Sequence, residues 1–254
     1  MQFVIFAHDR SGSSSLAKAL SVHPHIRVAL DPFHPKYGQW HANERTYRDS
    51  LTDVASLDTL LDELSVLYNG IKVLPYDLPE EIYSHLLLLP DLRVIFLRRR
   101  NTLQTVVSGG IAEQTRMWQL WDPRFGRDEA YSSLHPVDIA QVERGMEYQI
   151  WLQDCYRRVV LKRPSESRML REYEEFYTDS LDQNRENLVA VLRFLGFGAS
   201  DLSEADQYLD PRTAKLNNDD TYRMLPNAEE IDRALGSDEN GWLFSRGSRS
   251  DRIS

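Results

Sequence analysis

Phe3-Val4-Ile5-Phe6-Ala7-His8-Asp9-Arg10-Ser11-Gly12-Ser13-Ser14-Ser15-Leu16 decides the fold reading of this 254-residue chain. An apolar run ends at a polar, glycine-containing turn, and the helix-forming Leu16-Ala17-Lys18-Ala19-Leu20 follows at once. A strand that becomes a helix through small hydroxyl residues gathers free backbone N–H groups at the positive end of the helix dipole. Such a turn suits an anion, most often a phosphate.

The same alternation continues beyond it. Strand-like runs at Gln2–Ala7, Ile26–Leu30, Ile71–Leu74 and Leu92–Leu97 are separated by helix-like runs at Ser13–Val22 and Pro79–Leu89, and a further helix starts near Thr102. This predicts right-handed βαβ crossovers and an α/β, P-loop-like three-layer fold: a central parallel sheet of about four to five strands flanked by helices. Ligands in such sheets bind at the carboxyl ends of the strands. Both Arg10–Ser14 and Arg98–Asn101 fall there. A single domain over residues 1–244 is expected, with a loop-rich, lid-like insertion at about 111–136 and a disordered tail at 245–254. Val137–Leu161 reads as a helix with Val142, Met146, Ile150 and Val159 on one face. Met169–Tyr173 reads as an edge strand, and Ser180–Leu195 as a helix stopped by Gly196. Asp201–Asn218 reads as irregular and Asn227–Leu235 as a short helix.

Composition narrows the function. The net charge of −9 argues against non-specific nucleic-acid or anionic-membrane binding. Cys155 is the only cysteine, which excludes an intrachain disulfide or a cysteine-based metal cluster. No signal-peptide pattern and no bilayer-length apolar run stand in the sequence, so a cytoplasmic protein is expected, monomer or homodimer.

A triphosphate P-loop needs G-x-x-x-x-G-K-[ST]. Gly12 and Lys18 have that spacing, but Ala17 replaces the second glycine and Ala19 the hydroxyl that would hold magnesium. A second turn adds Arg98-Arg99-Arg100-Asn101 at a strand end, with Ser108 eight positions after Arg100. A guanidinium and a hydroxyl placed so can grip one phosphate. Two anion-ready turns suit a ligand with two phosphate-like ends.

Here the chain resembles the sulfotransferases that use 3′-phosphoadenosine 5′-phosphosulfate (PAPS). Arg10-Ser11-Gly12-Ser13-Ser14 resembles their [KR]-[ST]-G-[ST]-[ST] loop, which grips the 5′-phosphosulfate. Arg100-Asn101 with Ser108 resembles the motif that grips the 3′-phosphate, with Thr102 in place of its proline. Within the family it is most similar to the bacterial carbohydrate-type branch (Nod-factor and trehalose sulfotransferases). Arg10 opens the loop, Ser15 stands where the aryl branch has tryptophan, and Asp31-Pro32-Phe33-His34 is similar to a Glu-Pro-Phe segment.

The resemblance implies transfer of sulfonate, without metal, to a hydroxyl of a carbohydrate, lipid-linked or secondary-metabolite acceptor, with adenosine 3′,5′-bisphosphate (PAP) as product. It implies that Arg10, Ser11, Gly12, Ser13, Ser14 and Ser15 hold the 5′ end and that Arg100 and Ser108 hold the 3′ end, with Arg212 and Lys215 covering it. Arg10 faces the leaving group. The base is open between Asp31, His34 and His8. Lys72, His8, Trp118 and Trp121 are candidates to face the transferred group or the acceptor. A small-molecule kinase and a non-catalytic phosphonucleotide-binding module are the competing readings.

Overall fold

The computed structural model describes residues 1–35, 47–118, 131–198, 201–211 and 217–245. In chain order its elements are β1 (Phe3–Ala7), α1 (Ser13–Ser21), β2 (Val28–Leu30), α2 (Val54–Ser65), β3 (Gly70–Val73), α3 (Glu80–Leu88), β4 (Arg93–Arg98), α4 (Thr102–Thr115), α5 (Ile139–Leu161), β5 (Arg168–Glu172), α6 (Tyr173–Phe176), α7 (Leu181–Leu195), α8 (Asp206–Leu209), α9 (Asp219–Arg223) and α10 (Ala228–Leu235). The chain divides into two compact units: 1–98 with 154–211, and 99–153 with 212–254.

The first unit is built on five parallel strands in the order β2-β3-β1-β4-β5. β1 lies in the middle, and all five of its residues are buried, as strands covered on both faces must be. α1 packs against β1, β2 and β3. Its Leu16, Ala17, Ala19 and Leu20 join Phe3, Ile5, Ile95, Leu97, Leu188 and Leu192 in one apolar core. α7 begins at Ser180, whose hydroxyl accepts from Gln183 N, and ends at Gly196 in the left-handed region. β5 is the edge strand expected from the sequence, with every residue only partly buried.

The second unit has its own core, formed by Leu103, Val107 and Ile111 of α4, Val142 and Met146 of α5, and Tyr222, Ile231 and Leu243.

Several expectations change. The lid-like stretch does not begin at residue 111, because α4 runs to Thr115. Tyr131 and Leu134 at its far end are buried in the second core, and residues 119–130 lie outside the described ones. Ile150 is exposed rather than in line with Val142 and Met146, because the buried side of α5 passes to Gln153, Tyr156 and Val160. The irregular stretch at 201–218 contains α8, which buries Leu209 beside Ala205 against the first core.

α2 occupies a stretch with no expected element. Its signal is nonetheless in the sequence: Leu57, Leu60, Leu61 and Leu64 form one buried stripe, and Asp53 and Ser56 form a capping box. Of the expected tail, only Ser245 is described.

Candidate functional site

The carboxyl ends of β1, β2 and β3 bring together most of the first unit's candidates. The β1–α1 turn is held open at its centre. Gly12 is the residue before α1 and sits at φ 78°, in the left-handed region that a side chain disfavours. A Cβ there would come within 2.6 Å of Tyr177 Cε2. The Tyr177 hydroxyl donates to Gly12 O at 2.8 Å, and Tyr173 packs beside it. Burial, with the Tyr173 phenol next in effect, raises the Tyr177 hydroxyl well above its ordinary value, so it stays a donor.

α1 has no side-chain cap and no acid in its first turn. Its leading N–H groups therefore keep the anion-seeking character expected of an uncapped helix start. Ser11 has a different part: fully buried, it donates to His8 O at 2.5 Å and so ties the turn to the end of β1. Ser13 and Ser15 are buried and Ser14 is half-buried. Arg10 is half-buried at φ 59°, a strained position for a residue with a side chain. Lys18, on α1, is held below its ordinary value by burial.

Asp31 follows β2 directly, also left-handed at φ 50°. Its backbone N–H donates to Lys72 O at 2.8 Å, continuing the β2–β3 ladder one step past Leu30. That register sets the two side chains together. Lys72 Nζ donates to both oxygens of Asp31, at 2.7 and 2.8 Å, with the residues 3% and 6% exposed. Lys72 is thus an internal ion-pair partner and not a solvent-facing strand residue. His34 is half-buried, and its N–H donates to Asp31 O at 3.0 Å, closing the turn after β2.

His8 is buried against the Tyr156 ring, and neither of its ring nitrogens finds a hydrogen-bond partner among the described residues. Burial pushes its imidazole down to about 4, which leaves it neutral and a weak proton acceptor at neutral pH.

The structure adds two residues the sequence reading passed over, Tyr76 and Asp77, on the turn after β3. Asp77 is 1% exposed, and neither carboxylate oxygen has a hydrogen-bond partner among the described residues. Its backbone carbonyl accepts from Arg48 Nη1. Burial, then the Asp31 carboxylate, push the Asp77 carboxyl up to about 7, with Lys72 and Arg48 opposing. Tyr76 is half-exposed, and its phenol is raised by burial and by Asp9, Asp77 and Asp31, with Arg10 opposing. The available signal was Leu74-Pro75-Tyr76-Asp77-Leu78-Pro79, a proline-bracketed turn at the ligand-binding end of a strand.

The three successive arginines separate in the structure. Arg98 pairs with Glu172, its cross-strand partner in the β4–β5 register. In the second unit, Arg99 is buried and donates to Gln104 Oε1. Arg100 is exposed. Asn101 caps α4 through Gln104 N at 2.8 Å and donates to Trp242 O at 2.8 Å. Asn240 O accepts from Leu103 N and from the Thr102 hydroxyl, each at 3.2 Å. The turn 240–243 therefore engages the start of α4, helped by Gly241 at φ 85°. Ser108 is buried in α4 with its hydroxyl donating to Thr105 O at 3.1 Å. Trp118 is partly exposed. Trp121, Arg212 and Lys215 lie outside the described residues.

No protein-family model matches this chain, and no curated protein matches it. Among the solved structures similar to it are two sulfotransferases. One is a sulfotransferase domain from the curacin biosynthetic pathway, 12% identical over 93% of this chain and 94% of that one, with a TM-score of 0.46. The other is a mouse sulfotransferase complexed with PAP, 16% identical over 98% of this chain and 76% of that one, with a TM-score of 0.42. Both of these neighbours are sulfotransferases.

No described helix is long and apolar enough to cross a membrane, and no group of metal-ligating side chains stands among the described residues.

Proposed function

We propose that this protein is a PAPS-dependent sulfotransferase acting on a hydroxyl acceptor, of the bacterial carbohydrate-type branch. The observation that carries the reading is the β1–α1 turn. Its uncapped helix start, left-handed Gly12 and adjoining Arg10 fit the 5′-phosphosulfate, and the Asp31–Lys72 pair stands at the neighbouring strand ends. The donor supplies an activated sulfonate on a good leaving group, so the protein's work is positioning and charge.

In this reading the Ser13–Ser15 backbone N–H groups and Arg10 hold the leaving phosphate. Lys72, fixed by Asp31, offsets negative charge near the transferred group. Asp31 takes the acceptor's proton. His34 is the alternative base. Exposed Arg100 is assigned the 3′-phosphate, with Ser108 turning its hydroxyl from Thr105 O to the ligand; Arg212 and Lys215 are candidates to cover it. Trp118 and Trp121 are candidates to line the acceptor. The acceptor class is a carbohydrate, lipid-linked or secondary-metabolite hydroxyl, and the protein is assigned to the cytoplasm.

Calorimetry with PAP and with ATP–magnesium tests the reading. Preferential PAP binding that Arg100→Ala weakens supports it. Tight ATP–magnesium binding overturns it in favour of a kinase. Binding of PAP with no turnover of the phosphosulfate donor by any hydroxyl compound points to a non-catalytic module.

A further inference from the structure

Asp77 is the unexplained group of the first unit. A buried carboxylate with two unpartnered oxygens is costly, and native structures keep such groups rarely. Among the described residues, the charged and titratable groups acting on it are Asp31 after β2, Lys72 on β3, Arg48 from the 48–50 turn, and Tyr76 beside it in sequence. Arg48 Nη1 donates to the Asp77 backbone carbonyl, and Lys72 Nζ gives both of its observed side-chain bonds to Asp31. Asp77 is therefore a second buried acid, unpartnered through its side chain, in the field of an ammonium that another acid already holds.

That surplus matters when Asp31 changes charge. Lys72 is 3% exposed, so water cannot neutralise its ammonium. A proton arriving on Asp31 removes its counter-charge and leaves a buried cation, an expensive state.

We propose that Asp77 is a positioning residue, the reserve counter-ion of Lys72, which takes over the ammonium when Asp31 accepts a proton. The inference rests on the sulfotransferase reading for its role in turnover. The balance is simple. The acceptor's O–H bond breaks as its oxygen bonds to sulfur, and the donor's bridging S–O bond breaks with its electron pair going to the leaving phosphate. The proton bonds to an Asp31 oxygen, and Lys72 keeps all its protons and turns a hydrogen bond from Asp31 to Asp77. With Asp77 ionised, the three groups pass from one net negative charge to none. With Asp77 protonated, they pass from neutral to a buried positive charge. The ionised form is the competent one, so turnover rises as pH rises through the Asp77 titration.

Carbon-13 NMR of aspartate carboxyl groups on the full chain tests the coupling without any ligand. An aspartate titrating near 7 is expected, lost in Asp77→Asn. Its midpoint falls by at least one pH unit in Asp31→Asn, because Lys72 is then released to Asp77. A midpoint that does not move overturns the proposal. Should Asp31→Asn fail to fold, the wild type and two Asp77 variants still decide. The readout is release of PAP from the phosphosulfate donor with water as acceptor, across pH 5–9. Asp77→Asn is expected to lower the rate at least tenfold and to lose the limb near 7, and Asp77→Glu to restore the limb. An Asp77→Asn profile parallel to wild type overturns the proposal. Absence of PAP binding overturns the function reading instead, and the carboxyl titration then judges the coupling alone.

Discussion

Lys72 Nζ and the Asp31 carboxylate form a buried two-bond ion pair, at 2.7 and 2.8 Å, built by the β2–β3 register. Breaking such a pair on one side costs about 3–5 kcal/mol, because the remaining charge stays buried. Lys72→Met is expected to destabilise by about 3 kcal/mol at pH 8, where it leaves two unneutralised carboxylates. The loss is smaller at pH 5, where a carboxyl can take up a proton. Asp31→Asn costs less than Lys72→Met, since Asp77 remains as counter-charge. Urea denaturation of both variants at the two pH values checks this order.

Gly12→Ala forces a side chain into the left-handed region and against Tyr177. A loss of about 2 kcal/mol is expected, of which 1–2 is backbone conformation. Tyr177→Phe keeps the ring but drops one hydrogen bond to Gly12 O, costing about 1 kcal/mol. Thermal unfolding ranks the two. PAP affinity falls in Gly12→Ala because the turn's N–H groups shift.

Arg99 and Arg100 are neighbours with different exposure, one buried and one at the surface. Arg100→Ala is expected to weaken PAP binding about 10- to 100-fold, the worth of a charge-assisted contact, with little change in melting temperature. Arg99→Ala removes a buried donor to Gln104 and lowers the melting temperature. Calorimetry and a thermal scan of both variants separate binding from stability.

Asp77 makes stability fall with rising pH. Its carboxyl binds a proton more tightly folded (about 7) than unfolded (3.8), so the protonated form favours the fold. That contribution is complete below about pH 4 and is lost as pH rises through about 7. Asp77→Asn carries no such loss. It is expected to be more stable than wild type at pH 8, on the order of 2 kcal/mol, and about equal near pH 4. Denaturant midpoints at the two pH values measure the difference.

Much of the first unit was legible because its signals are local. The fully apolar run Phe3–Ala7, ended by a polar turn, reads as a central strand, and the Ser-rich residues after Gly12 read as a helix start. Ser180 and Gly196 marked both ends of α7 for the same reason. α2 was equally legible from its leucine stripe and capping box, so its omission is not a limit of the sequence. Ile150 was misplaced because the buried side of α5 passes through Gln153, which a purely apolar pattern does not register.

The site divides along the same line. The sequence by itself determined the β1–α1 turn with its uncapped helix start, the alternating α/β plan and the identity of Asp31 as an acid after a strand, because these depend on residues near one another in the chain. Only the tertiary structure decided which arginine of Arg98-Arg99-Arg100 stays exposed, that Lys72 belongs to Asp31, and that Asp77 is buried without a partner. Those outcomes depend on strand register and burial, which bring together residues 41 and more positions apart and set the solvent around each charge.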